Sequence, residues 1–211
     1  MNILSIDTSQ KSFSLTISKN NKYYSFIDTS EKVSSETVLI EIDKLVSKCK
    51  LLPNDINTVI HNSGPGSFTG VRVSSAIVQA IGYSNDCPVY GINSLLIDAY
   101  SLYKKNNNKY IQVIKKAFGD QAFHGLFVMS DKECTLNEDV MISTYTNVEI
   151  KNNYFLLTNY KDIISESKND VSLIDNYIGS ELLIDYYELY CDKKKDFNYK
   201  DALPSYAGHT I

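Results

Sequence analysis

Cysteine, histidine and positive charge are scarce in this chain, and each scarcity argues against a class of protein. Only four cysteines occur among 211 residues, and none belongs to a Cys-x-x-Cys pair. That pattern argues against a disulfide framework and against a zinc site, so we expect reduced thiols. The histidines His61, His124 and His209 lie far apart in the sequence and form no recognisable triad. We interpret them as isolated structural or surface residues, and we expect neither a catalytic residue nor a metal ligand among them.

Basic residues are fewer than acidic ones, with 21 lysines and arginines against 25 aspartates and glutamates and a formal net charge of −4. Such a protein lacks the basic field that independent nucleic-acid binding normally requires, so any RNA contact would need a partner. Arg72 is the single arginine of the chain. Because its planar guanidinium presents five hydrogen-bond donors in a fixed arrangement, which a lysine ammonium does not, Arg72 is a candidate binding residue.

Long apolar runs are absent as well. No stretch of 18 apolar residues occurs, and Met1–Asp7 has neither the basic region nor the long apolar region of a secretory signal. The sequence therefore predicts no membrane span and a cytoplasmic location.

The most informative segment reads Gly-Pro-Gly-Ser-Phe-Thr-Gly-Val-Arg-Val, from position 64 to position 73. Its glycines allow a positive φ or a close approach of the backbone to another group, and its proline stiffens the turn. The segment lies between a strand-like Thr58–Ile60 and a helical stretch at 69–83, so it is a strand-to-helix turn that Ser67 or Thr69 could cap. The candidate site residues of this loop are Gly64, Pro65, Gly66, Ser67, Phe68, Thr69, Gly70 and Arg72.

A phosphate-binding loop is the obvious alternative for this segment, and the sequence does not support it. A P-loop needs a lysine after its last glycine, but no lysine occurs between Lys50 and Lys104. The dinucleotide fingerprint fails because Thr69 occupies the place of its third glycine. The remaining interpretation is a tight turn whose small residues let the following helix lie close to its neighbours.

The first half of the chain shows the order βββαβαβα. Three strands joined by short polar turns predict an antiparallel meander, and the later strands alternate with helices, as in a ribonuclease-H-like lobe. Ser34 or Ser35 could cap the first helix, whose apolar stripe is wider than one sheet contact needs. The predicted strands lie at 3–7, 13–17, 23–27, 58–60 and 88–92, and the predicted helices at 35–49, 69–83 and 95–104.

The second half partly repeats this pattern after the polar run 104–109. Strands are predicted at 110–114, 122–129, 140–142 and 154–158, with a helix at 178–191. Lys193–Lys195 is a charge run of the kind that is solvated. We therefore predict an α/β protein of two lobes, at 1–105 and 106–211, the second smaller and less regular.

Three segments carry a family resemblance over residues 1 to about 100. Ile3–Ser9, Gly64–Arg72 and Pro88–Leu95 resemble the TsaB (YeaZ) family in order and approximate spacing. The resemblance implies an actin-like two-lobed fold and a non-catalytic paralogue of TsaD in the bacterial machinery that adds threonylcarbamoyl to a tRNA adenosine. It also implies TsaD as the main partner, the ATPase TsaE in a larger complex, and tRNA contact only through that complex. ATP, Mg²⁺ and the catalytic metal would belong to the partner subunits, so no cofactor is expected in this chain.

Two local features support a non-catalytic chain. TsaD-like proteins carry His-x-x-x-His on the first helix, whereas Ser34–Glu41 contains no histidine. In actin-like ATPases the first-strand carboxylate approaches Mg²⁺ beside a glycine, but Thr8–Lys11 supplies no glycine after Asp7. We interpret Asp7 as a turn or capping residue, with a vestigial ligand role as the alternative.

Two segments depart from the family. Lys115–Gly119 stands where an Asp-Ala-Arg run is usual, so Lys115 and Ala117 replace the acid and the arginine, and the C-terminal Pro-x-Tyr-Leu-Arg signature survives only as Pro204–Tyr206.

Family members are expected to pack their first two helices against those of TsaD, which would use the excess apolar face. Part of this face is therefore expected to point outward. The predicted partner residues are Val38, Ile42, Leu45, Val71, Ser74, Ser75 and Val78. Two alternatives stay open: an actin-like ATPase, kinase or peptidase, and a homodimeric module whose helical face receives a second copy of the chain. The missing glycine and histidine pair argue against the first.

Overall fold

The computed structural model describes residues 1–10, 12–30, 33–166, 170–174, 179–191 and 198–206. The chain forms two compact units. The first contains Met1–Ser94 and Gly179–Ser205, and the second contains Leu95–Ile178 and the chain from Tyr206. Predictions for Lys11, Lys193–Lys195 and His209 concern positions outside the described residues.

The first unit is built on a five-stranded mixed sheet. Its strands are β1 (Asn2–Asp7), β2 (Phe13–Lys19), β3 (Lys22–Asp28), β4 (Thr58–Gly64) and β5 (Val89–Asn93). They lie in the order β3-β2-β1-β4-β5, with the first three antiparallel and β4 and β5 parallel to β1. The predicted meander followed by parallel crossovers is therefore confirmed.

Helices α1 (Ser35–Lys48) and α2 (Phe68–Asn85) cover one face of this sheet. Side chains alternate along the strands, so that apolar residues such as Leu4, Ile6 and Val59 share that face and pack with the inner sides of both helices. Ser34 caps α1, because its hydroxyl accepts a hydrogen bond from the Thr37 N–H at 3.2 Å. The buried residues of this core include Leu4, Ile6, Phe13, Leu15, Ile17, Val59, Val38, Ile42, Leu45, Val46, Ile77 and Val78.

Helix α5 (Ser180–Tyr190) is attached to the other, hydroxyl-rich face of the same sheet. Its N-cap residue, Gly179, has no capping side chain. The sheet supplies the partner instead, because the Ser180 N–H donates to Ser14 Oγ at 2.9 Å. Ser180 Oγ lies 2.7 Å from Thr16 Oγ1, and Ser5 Oγ donates to the Ser180 carbonyl at 2.8 Å. These buried bonds fix the N-terminus of α5 on the sheet.

The second unit contains α3 (Ser94–Asn106) from Leu95 onward and a sheet of the same connectivity. Its strands are β6 (Tyr110–Lys116), β7 (Gln121–Met129), β8 (Cys134–Thr144), β9 (Phe155–Thr158) and β10 (Val171–Leu173), in the order β10-β9-β6-β7-β8. An antiparallel meander is again followed by two parallel strands. Between β8 and β9 a short 3-10 helix, Tyr145–Asn147, stands where the first unit has α1. Helix α4 (Lys161–Glu166) precedes β10, and neither was predicted.

The bounds of the predicted lobes, 1–105 and 106–211, need correction, because α3 belongs to the second unit and α5 to the first. Helix α3 joins the second unit, where Asp98 forms an ion pair with Lys115 of β6 at 2.8 Å. Helix α5 joins the first unit through its bonds to the sheet. These contacts join residues far apart in the chain, so a division drawn at a polar linker could not show them.

Candidate partner-binding surface and glycine-rich loop

The glycine-rich loop connects the end of β4 to the start of α2. Gly64 has a φ of +98°, a conformation that favours glycine, and the Gly64–Pro65 peptide bond is cis. Of the two predicted caps, Ser67 is the N-cap residue, because its hydroxyl accepts a hydrogen bond from the Gly70 N–H at 3.3 Å. The strand-to-helix turn is therefore confirmed.

The loop is pressed against the turn that follows β1. A Cβ atom added at Gly70 would lie 1.8 Å from the Thr8 carbonyl oxygen, and one added at Gly66 would lie 2.3 Å from that of Ser9. Two hydrogen bonds accompany this approach: Thr8 Oγ1 donates to the Gly70 carbonyl, and the Ser67 N–H donates to the Ser9 carbonyl, both at 2.7 Å. The glycines thus serve close packing of backbone on backbone.

Asp7 supports the same turn from inside. Its buried carboxylate accepts hydrogen bonds from Ser9 N at 2.9 Å, from Ser9 Oγ at 2.7 Å and from Asn62 Nδ2 at 3.2 Å. Asn62 Oδ1 in turn accepts the Gly64 N–H at 3.0 Å. These bonds join the end of β1 to the end of β4 and agree with a turn role for Asp7. Sequence reasoning missed Asn62, since nothing local marks a strand amide as the partner of a carboxylate 55 residues away.

The predicted partner residues are buried in the first unit. All seven, from Val38 to Val78, are at most 8 % exposed, and four of them pack in the core under the sheet. The expectation that part of this set points outward is therefore wrong. The physical reason is that the apolar face of the sheet packs against Val38, Ile42 and Leu45 of α1 and Val78 of α2, which leaves this side of the two helices without exposed area.

The outward faces of α1 and α2 carry other residues. On α1, Leu39 and Ile40 are 50 % and 46 % exposed. On α2, Phe68 and Tyr83 are 61 % and 72 % exposed, while Ala76 and Ala80 give exposed small positions one turn apart. Arg72 is exposed, with its guanidinium carbon 3.5 Å from the centre of the Phe68 ring, a cation–π contact. We call Leu39, Ile40, Phe68, Arg72, Ala76, Ala80 and Tyr83 the outer helical surface.

The histidines do not form a site within the described residues. His61, on β4, is fully buried; its Nδ1 lies 3.4 Å from Ser74 Oγ, and its Nε2 has no hydrogen-bond partner. Burial lowers the pKa of His61 to about 4. His124 belongs to the second unit, where Nε2 lies 3.0 Å from Ser143 Oγ. In the described ranges, no group of three or more His, Cys, Asp or Glu side chains could hold a metal ion.

The segment that departs from the family forms a turn in the second unit. The Lys115 ammonium is used in the ion pair with Asp98, and the Ala117 N–H donates to the Gln121 carbonyl at 2.9 Å. Gly119 takes a positive φ of 58° in this turn.

Comparison with known proteins agrees with this architecture. A family profile described as "TsaD: tRNA N6-adenosine threonylcarbamoyltransferase" matches residues 28–114. The tRNA threonylcarbamoyladenosine biosynthesis protein TsaB of Buchnera aphidicola subsp. Schizaphis graminum is 33% identical over 129 residues, which are 61% of this chain and 61% of that protein. The resemblance to the TsaB (YeaZ) family is confirmed. The TsaB of Buchnera aphidicola subsp. Acyrthosiphon pisum is 25% identical, with 84% of this chain and 96% of the relative covered. The match to Escherichia coli TsaB is 26% identical and covers 50% of this chain and 46% of that protein.

A solved structure has the same fold as this chain. YeaZ from Pseudomonas aeruginosa superposes with a TM-score of 0.81 at 18% identity, over 97% of this chain and 99% of that one. The predicted ribonuclease-H-like, actin-like fold is therefore confirmed. None of the helices in the described part of the chain has the length and hydropathy that a membrane crossing needs.

Proposed function

We propose that this TsaB homologue acts in the biosynthesis of tRNA threonylcarbamoyladenosine as a non-catalytic subunit that binds and activates TsaD. The observation that carries the proposal is the outer helical surface, which presents apolar side chains and small residues on two neighbouring helices. The relatives of this chain are named for the same pathway.

The composition of the outer helical surface suits a partner made of helices. Exposed Ala76 and Ala80 allow a second helix to approach closely, while Leu39 and Ile40 offer apolar area on α1, which contacts α2. Arg72 and the aromatic residues Phe68 and Tyr83 are of the types that are enriched in protein interfaces. The same surface could receive a second copy of the chain when TsaD is absent, so a homodimer is the second candidate.

The non-catalytic part of the proposal rests on the hydrogen bonds of Asp7 and of the glycine-rich loop, which engage these groups within the chain. The Asp7 carboxylate is occupied by Ser9 and Asn62, and the glycine-rich loop is closed by its bonds to the turn after β1. ATP, Mg²⁺ and the catalytic metal would then be bound by TsaD and TsaE, and tRNA would be reached through the complex, in the cytoplasm.

Co-purification with the cognate TsaD, followed by a tRNA threonylcarbamoylation assay, tests this function. We expect Ala76→Glu and Ile40→Glu to remain folded and to abolish both binding and modification, because a buried charge without a partner costs roughly 2 kcal/mol or more. Asn54→Glu adds the same charge to an exposed position of the 3-10 helix Pro53–Asp55 and should bind normally. Binding by all well-folded variants at wild-type affinity would show that TsaD docks elsewhere.

A further inference from the structure

The described C-terminal residues of the first unit run along α2. Asn198 caps a 3-10 helix, Tyr199–Asp201, by accepting the Lys200 N–H on its side-chain oxygen at 3.0 Å. The chain then continues without regular structure to Ser205. We call Asn198–Ser205 the C-terminal strap.

Two contacts attach the strap to α2, and a third attaches it to the end of β4. At the C-terminal end of the helix, the Tyr199 and Tyr83 rings meet edge to face with their centres 5.3 Å apart. In the middle, Gln79 Nε2 donates to the Ala202 carbonyl at 3.0 Å, and Ala202 itself is buried in the core. Beyond the N-terminal end, the Ser205 N–H donates to the Ser63 carbonyl at 2.7 Å.

The Ser63 carbonyl is available because the sheet is irregular at that point. The pairing of β4 with β5 shifts between Asn62 and Gly64 and leaves Ser63 out of the register. The strap supplies the donor for this buried residue, directly before the glycine-rich loop.

Two glycines make room for the strap. A Cβ atom at Gly82 would lie 2.9 Å from Tyr199 Cβ, and one at Gly64 would lie 2.9 Å from the Ser205 carbonyl oxygen. Gly64 precedes α2 and Gly82 lies in its last turn. The strap therefore contacts both the loop before α2 and the end of the helix, where a larger residue would push it away.

We propose that the C-terminal strap is a positioning device that holds α2 and the glycine-rich loop in the arrangement that the outer helical surface needs for partner binding. The inference rests on the proposed function. The strap residues Asn198–Ser205 lie outside that surface, and the strap touches it through the ring contact of Tyr199 with Tyr83. Release of the strap would leave the sheet intact and let α2 and the loop before it move.

Substitutions in the full chain test this proposal. Ser205→Pro removes the N–H that bonds to Ser63, whereas Ser205→Ala keeps it and is the matched control. Gln79→Met removes the second hydrogen bond at similar side-chain size, and it decides the question if Ser205→Pro does not fold. The readouts are amide hydrogen exchange and affinity for TsaD.

We expect Ser205→Pro and Gln79→Met to speed exchange at 64–85 and to weaken TsaD binding by about three- to tenfold, the effect of one lost hydrogen bond. Exchange in β1 and β2 should not change, and Ser205→Ala should match the wild type. Faster exchange with unchanged affinity would show a merely structural strap, and unchanged exchange would refute any positioning role. Failure of the wild type to bind TsaD would instead refute the proposed function, and this inference with it.

Discussion

Replacing Gly70 with alanine tests the contact between the glycine-rich loop and the turn after β1. The added Cβ atom would lie 1.8 Å from the Thr8 carbonyl oxygen. Because non-bonded atoms pack at about 3.5 Å, the two backbones must separate by roughly 1.7 Å. That movement strains the packing and breaks the 2.7 Å hydrogen bond from Thr8 Oγ1 to the Gly70 carbonyl. We expect a loss of about 2 to 4 kcal/mol in the free energy of unfolding, from overpacking and one buried hydrogen bond.

Thermal and urea unfolding, followed by circular dichroism, measure this loss. A drop in Tm of about 5 to 15 °C is expected for a chain of this size. Gly119→Ala is the control, since nothing lies within 4 Å of its added methyl group, although its positive φ of 58° makes alanine unfavourable. That control should lose only about 1 to 2 kcal/mol. A Gly70→Ala protein whose Tm equals that of the wild type, or exceeds that of Gly119→Ala, would refute the close-approach explanation of this loop.

Three further predictions concern buried polar and apolar groups. The pKa of His61 in the folded chain is about 4, below the unfolded value of 6.5, so the free energy of unfolding should fall by about 3 kcal/mol as pH drops from 6.5 to 4. Urea unfolding of the wild type and of His61→Asn at several pH values checks this, and an equal dependence of the unfolding free energy on pH in both proteins would contradict it. Asp7→Ala should lower stability by about 2 kcal/mol through the donors that it leaves unpaired, and an unchanged urea midpoint would exclude the turn role. Val78→Glu should unfold the first unit whereas Ala76→Glu should not, and circular dichroism showing equal folding of both would contradict the assigned burial.

Local signals predicted much of the first unit. The caps at Ser34 and Ser67 and the strand-to-helix turn each depend on neighbours within a few residues, and such patterns can be recognised in a sequence. The order of strands and helices followed from the same signals. It gave the ribonuclease-H-like connectivity without any contact being known.

The inward side of α1 could not be decided from the sequence. Val38, Ile42 and Leu45 form one apolar stripe, whereas Leu39 flanks it and Ile40 lies on the opposite side, so that apolar residues also occur outside the stripe. Which stripe packs on the sheet depends on where the chain enters and leaves the helix. The adjacent Leu39 and Ile40, outside the main stripe, were the available sign of a second apolar surface.

Contacts between residues far apart in the chain were the other feature that could not be predicted from the sequence. Helix α5 reaches the first sheet through Ser180, whose partners Ser5, Ser14 and Thr16 lie more than 160 residues earlier in the chain. The strap likewise returns to Ser63 from Ser205. Nothing in the sequence indicates which distant backbone group a serine hydroxyl will contact. The predicted domain boundary failed for this reason.

The most direct test of the account is tRNA threonylcarbamoylation by the reconstituted TsaD machinery with and without this chain. We predict that modification requires the chain, that Ala76→Glu cannot replace the wild type, and that the chain alone neither hydrolyses ATP nor cleaves peptides above background. Full modification in its absence, or ATP turnover by the isolated chain that Asp7→Ala abolishes, would contradict the assignment of a non-catalytic activating subunit.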